Sequence, residues 1–343
     1  MIRERRNQVL IGLAVVQALL VVLVFWPWPA GGEGVPLFPG LQSSDIVALT
    51  VTDPGDKSLT LRLVDGAWVL PEFDNYPAQS SKVTLLLEQV AGLTTAELVG
   101  QTAAAQKQLK VADNDFQHRL DLQKADGTSI RLYLGTSPRL NAVHVRVEGR
   151  TQTYLGRSLS TSAVDARPIS WVDTLYFSVS TEQVKAFQLK NGSGLFSFSK
   201  GEDGKWTMAG LQAGETLDQS QVETVLRQAT SVRMQEPLGK EGKAEYGMGE
   251  PAAIVILETA DRTITLTVGP ADAANSYHVV ISSESPYYVR VSAASVRQLV
   301  EKDRSGFLVP PPTATPTPEA IPTPAISPTM ALVSGIGVTE TLP

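Results

Sequence analysis

Two stretches of this sequence follow one script. Trp68 matches Trp206, Val83 matches Val222, Gly135 matches Gly269, His144 matches His278 and Tyr154 matches Tyr288, at separations of 134 to 139 residues. Concordant spacing of unlike residue types reads as one supersecondary unit used twice. Any fold for this chain has to accommodate that unit in two copies.

The first copy is expected over residues 45–167. IVALTVT (46–52) and SLTLRLV (58–64) alternate apolar and polar residues as strands do, and Ala67-Trp68-Val69-Leu70 follows the turn signal Asp65-Gly66. Val83, Leu86, Leu87 and Val90 then form the i, i+3, i+4, i+7 stripe of a helix laid on a sheet. Residues 116–124, 128–135, 142–149 and 152–156 read as further strands, with a short helical stretch after Ser158. Residues 168–182 act as a connector. The second copy, residues 183–308, repeats the strands, the turn before Trp206, and a helix with Val222, Val225, Leu226 and Ala229. Asp218 and Gln221 are spaced as a capping box, and Val296, Leu299 and Val300 mark a terminal helix. The expected class is therefore α+β, a tandem duplication of an antiparallel-sheet-plus-helix unit behind an N-terminal transmembrane helix.

That transmembrane expectation rests on residues 9–28. Val9 to Trp26 is almost purely apolar, and eighteen helical residues reach about 27 Å, close to the hydrocarbon thickness of about 30 Å. Trp26 and Trp28 fall where an interfacial aromatic belt lies, and Pro27 and Pro29 end the helix. Arg3, Arg5 and Arg6, in the basic stretch 1–8, place the N-terminus in the cytoplasm. A single-pass anchor in the cytoplasmic membrane follows, with a linker over 29–44 and the bulk of the chain outside. A cleaved signal peptide, with Ala30-Gly31-Gly32 as its cleavage region, is the alternative, and it leads to the same side of the membrane. Residues 309–343 are rich in proline and threonine and read as a disordered tail or spacer.

The chain contains no cysteine, which excludes disulfides, cysteine-based metal sites and a lipid-modified cysteine anchor. Its net charge is −6 and no basic patch stands out, which argues against nucleic acid. His144 and His278 sit mid-strand among valines, too far apart in sequence to signal a metal site, and His118 stands alone on a strand. Asp113-Asn114-Asp115 suits a turn and lacks the spacing of a calcium loop. There is no phosphate-binding glycine loop and no nucleophile elbow. No catalytic, cofactor-binding or metal-binding residue is assigned. Trp68 and Trp206 are expected to pack against the helix of their own unit rather than to form a ligand platform.

Leu37-Phe38-Pro39, Asp45-Ile46, Gly66-Ala67-Trp68-Val69-Leu70, Tyr76-Pro77-Ala78, the Val83-Leu86-Leu87 helix and Leu132-x-Leu134-Gly135 together resemble the uncharacterised bacterial family known as domain of unknown function 4340. The family usually carries an acidic helix cap after the Pro-Ala. Here that position is Gln79, whereas the second copy has Asp218. The resemblance implies a membrane-anchored protein associated with ABC-type transport components similar to those of gliding-motility systems. The expected function is a non-enzymatic extracytoplasmic accessory protein of such a complex, with the bilayer and transporter subunits as partners. A surface module binding polysaccharide is the main alternative, and an envelope hydrolase without a recognisable motif is a lesser one.

Overall fold

A computed structural model describes residues 34–310. The apolar run at 9–28, with Arg3, Arg5, Arg6, Trp26 and Trp28, and the tail from residue 311 lie outside the described residues. Among the described residues no helix is long and apolar enough to cross a membrane.

The chain opens with strands β1 (Ile46–Thr52), β2 (Ser58–Val64), β3 (Ala67–Leu70) and β4 (Tyr76–Pro77). Helix α1 (Ser80–Ala91), β5 (Leu98–Gly100) and helix α2 (Ala103–Gln108) follow. Next come β6 (Val111–Ala112), β7 (Asp115–Phe116), β8 (His118–Lys124), β9 (Ser129–Leu134), β10 (Ala142–Val147) and β11 (Thr153–Arg157). After β12 (Leu175–Ser178), the second half begins with β13 (Ala186–Asn191), β14 (Gly194–Lys200) and β15 (Trp206–Met208). Helix α3 (Gln219–Thr230), β16 (Ser231–Arg233) and β17 (Glu236–Gly239) come next. The series closes with β18 (Ala253–Glu258), β19 (Thr263–Ala271), β20 (Tyr277–Ser282), β21 (Tyr288–Ser292) and helix α4 (Ala293–Glu301).

A nine-stranded sheet runs in the order β4-β3-β2-β1-β8-β9-β10-β11-β5, and an eight-stranded sheet in the order β15-β14-β13-β18-β19-β20-β21-β17. Apart from β4, position for position the two orders are the same. Trp68 lies on β3 and Trp206 on β15, the corresponding strands. The pairings are antiparallel, as hairpin connections require. Register is set by the apolar face: Leu49, Val51, Leu59 and Leu61 are buried, while Thr50 and Thr60 pair across β1 and β2 at 3.1 Å.

These two sheets correct the α+β expectation: the molecule is mostly β. The described helices are short, twelve residues in α1 and α3, six in α2 and nine in α4. Meanwhile β5, β12, β16 and β17 add strands where no side-chain alternation announces them. They join through backbone hydrogen bonds, which side-chain periodicity does not encode. The helical stretch expected after Ser158 is only a 3-10 turn at Thr161–Ala163. The capping box expected at α3 is half made. The Asp218 carboxylate accepts from the amides of Ser220 and Gln221, but the Gln221 side chain is taken by Lys302 Nζ at 2.6 Å.

Helix α1 buries Val83, Leu86, Leu87 and Val90, and α3 buries Val222, Val225, Leu226 and Ala229. Packing one apolar stripe on a sheet is how short helices become stable. One continuous core joins Leu49, Leu61 and Leu120 of the first sheet with Phe187, Val255 and Leu266 of the second.

Candidate functional site

A polar seam joins the two halves. It is built on the turn after β3, where Asp74 and Asn75 both take left-handed backbone conformations (φ 55° and 61°). Asp and Asn tolerate that region better than most residues because their short side chains bond locally. The Asp74 carboxylate accepts the Lys240 amide at 2.6 Å, beside Gly239 at φ 90°. A β-carbon on Gly239 would collide with that carboxylate, so glycine suits the close approach. The Tyr287 hydroxyl donates to the Asn75 carbonyl at 2.9 Å, and its ring meets Tyr76 edge-on with centroids 4.7 Å apart. The Tyr176 hydroxyl donates to the Tyr287 carbonyl at 2.8 Å and accepts from the Ser282 amide at 2.9 Å. Burial, together with Tyr176, Tyr287 and Asp173, pushes the Tyr76 phenol up to about 12. These tyrosines act as structural donors and packing groups.

The connector enters the same seam. Trp171 is almost fully buried, and its indole donates to the Asp165 carbonyl at 2.6 Å. Its own carbonyl accepts the Gln79 amide at 2.7 Å, tying the connector to the start of α1.

Open concavities lie on the surface of the described residues. One, of about 250 Å³, is bounded by Glu182, Lys200, Trp206, Glu223 and Arg227. A second, of about 510 Å³, lies between Lys190–Gly192 and Met248–Pro251. A third, of about 280 Å³, lies where Arg167 and Ile169 of the connector face Tyr277 and Arg290. Their cations are largely engaged already. Arg290 pairs with Glu236 and lies over the Tyr277 ring, Arg167 pairs with Asp165, and Lys200 sits 5.7 Å from the Trp206 ring centroid.

Trp68 and Trp206 are 5% and 4% exposed. The Trp206 ring meets Phe187 edge-on at 5.2 Å and is almost fully buried, so it is a packing group. The equivalent histidines serve the same local purpose. His144 Nδ1 lies 2.9 Å from Thr136 Oγ1, and His278 Nδ1 lies 2.8 Å from the Gly269 carbonyl. Each fastens its strand to the end of the preceding one. Burial holds the His144 pKa below its ordinary value, opposed by a hydrogen bond at Thr136. His118 pairs with Asp53 at 2.9 Å.

Asp113 and Asp115 do not converge. Asp115 accepts from Lys110 at 2.8 Å, and Asp113 pairs with Arg146, whose hydrogen bond holds that carboxyl below the usual carboxylate range. Among the described residues no group of three or more His, Asp or Glu is placed to hold a metal ion.

Arg146 escaped the sequence reading. It is 3% exposed, donates to the carbonyls of Val111 (2.6 Å) and Arg150 (3.2 Å), and stacks its guanidinium 4.5 Å from the Tyr133 ring centroid. The available signal was the repeat itself: the matching position of the second half is Val280. Trp171, Tyr176 and Asp74 were missed because their roles arise between distant segments, and no local pattern records such a contact.

No curated protein and no solved structure gives a significant match to the chain. One protein family does, over residues 68–251, more than half of the 343-residue chain, and the match begins at Trp68 and runs well into the second sheet. The chain therefore belongs to the family described as Domain of unknown function (DUF4340).

Proposed function

We propose that this protein is a non-enzymatic, membrane-anchored accessory protein that holds a partner at the outer face of the cytoplasmic membrane. The transport association implied by the family resemblance makes subunits of an ABC-type envelope transport complex the partner of choice. One observation carries the reading. Perturbed ionisable groups serve the frame: Asp113 pairs with Arg146, Asp218 caps the start of α3, and Tyr76 packs in the seam. In an enzyme, perturbed groups are expected to gather around a cleft. The apolar run at 9–26 supports the tether, which raises the effective concentration of the domain toward other membrane proteins.

The test is co-purification. Full-length protein extracted in mild detergent is expected to bring transporter subunits with it, and a chain lacking residues 1–30 to bring less. Recovery of the full-length protein alone, with turnover of an envelope substrate by residues 34–310, would replace this reading with an enzymatic one.

A further inference from the structure

The described chain enters the fold at one corner of the first sheet. The Val35 carbonyl accepts the Thr95 amide at 3.0 Å, Pro36 bridges to Thr94, and a β-carbon on Gly34 would collide with Ala96. Residues 34–36 therefore run beside the segment that leads into β5, while Ala105 and Leu109 pack beside Gly100. The flanks of this strand are occupied by the chain itself. Its side chains are less covered: Leu98 and Val99 are 48% and 42% exposed, and the neighbouring Val35 is 68% exposed. Successive strand residues point to opposite faces, so a strand lying over a core buries one of the two. Exposure of both means that β5, the last strand of the sheet, overhangs the core. Two cations border it. The Glu97 carboxylate pairs with Arg157 and lies 3.6 Å from Arg139, so one carboxylate stands between two largely exposed guanidiniums.

We propose that this corner rests on the surface of an anionic phospholipid bilayer, with Val35, Leu98 and Val99 in the interfacial layer and Arg139 and Arg157 beside the headgroups. This placement rests on the proposed anchor at residues 9–28 and adds to it a fixed orientation of the sheets over the membrane. The length of chain singles out the bilayer as occupant. Trp28 closes the apolar stretch, and residues 29–33 reach at most about 20 Å when fully extended, so a bilayer that holds the anchor lies within that distance of Gly34. Exposed apolar side chains beside arginine suit such a surface, because they bury apolar area there while the cations attract anionic lipid. The seating is shallow. Backbone groups at a sheet edge cannot enter hydrocarbon unsatisfied, whereas the interfacial layer still offers water.

Because the chain has no cysteine, a single introduced thiol carries an environment-sensitive maleimide dye without background. Val99→Cys is compared with Leu195→Cys, a 62% exposed position on β14 near the far end of the second sheet's strand order. Each full-length variant is reconstituted into vesicles of phosphatidylethanolamine and phosphatidylglycerol that contain nitroxide-labelled lipid. The dye at residue 99 is expected to shift to the blue and to be quenched by the nitroxide, and the dye at residue 195 to do neither. Leu98→Asp, at an exposed position, is expected to abolish the quenching at residue 99. Arg139→Gln combined with Arg157→Gln is expected to reduce it, as does replacing phosphatidylglycerol with neutral phosphatidylcholine. An unquenched dye at residue 99 in protein that floats with the vesicles would overturn the docking and leave the anchor intact. Protein that does not float with them would overturn both. Equal quenching at residues 99 and 195 would show general adsorption, and quenching that survives Leu98→Asp would show that the apolar corner is not what seats; either result overturns the proposal.

Discussion

At the scale of single residues, the paired tryptophans and His144 carry the sharpest expectations. Trp68 and Trp206 are buried at corresponding points of the two sheets. Truncating a buried aromatic loses its transfer free energy and leaves a cavity, so Trp68→Ala and Trp206→Ala are each expected to cost about 3–5 kcal/mol in denaturant unfolding. A neutral result at either position would point to a ligand platform. His144 offers a pH signature. Burial lowers its folded pKa, so the unfolded chain binds the proton more readily. Its contribution to stability is complete above the unfolded value of about 6.5 and declines as pH falls through that value toward the lower folded one. Melting temperatures of the parent and His144→Asn between pH 7.5 and 5.5 check this. The parent is expected to lose more stability on acidification, and equal slopes would contradict it.

At the scale of elements, the two long helices differ in their first residue. Asp218 caps α3 through its carboxylate, whereas Gln79 at the start of α1 makes no side-chain capping bond. Asp218→Ala is expected to cost about 1 kcal/mol, while Gln79→Asp should gain a few tenths to about 1 kcal/mol. Thermal unfolding of both variants measures the pair, and a destabilising Gln79→Asp would contradict the capping argument. The apolar stripes of α1 and α3 and the alternation of β1, β2, β13 and β18 were legible because burial on one face imposes a period on the sequence. β5 and β17 were not legible. Each is short and ends in glycine, and their place in the sheets depends on hydrogen bonds to β11 and β21. Missing these edges gave helix too much weight in the expected class. The polar seam was illegible for a related reason, since Asp74 and Lys240 are 166 residues apart in the chain.

At the scale of the whole molecule, one core runs through both sheets and the Asp74, Tyr176 and Tyr287 contacts stitch the halves together. Residues 34–310 are accordingly expected to melt in one cooperative transition, with calorimetric and van't Hoff enthalpies in agreement. Two resolved transitions would mean that each half keeps its own stability and the seam contributes little. Such a rigid body suits a protein that positions a partner. The proposed docking role requires the sheets to stand outside the membrane, and the absence of cysteine makes that testable on the intact chain. Leu140→Cys, at a position 88% exposed, and Asn7→Cys, within the basic N-terminal stretch, are each introduced alone into the full-length protein. Intact protoplasts are then treated with a membrane-impermeant maleimide. Leu140→Cys is expected to label at once and Asn7→Cys only after lysis. The reverse pattern, or labelling of Leu140→Cys only after lysis, would place the sheets in the cytoplasm and contradict the proposed function.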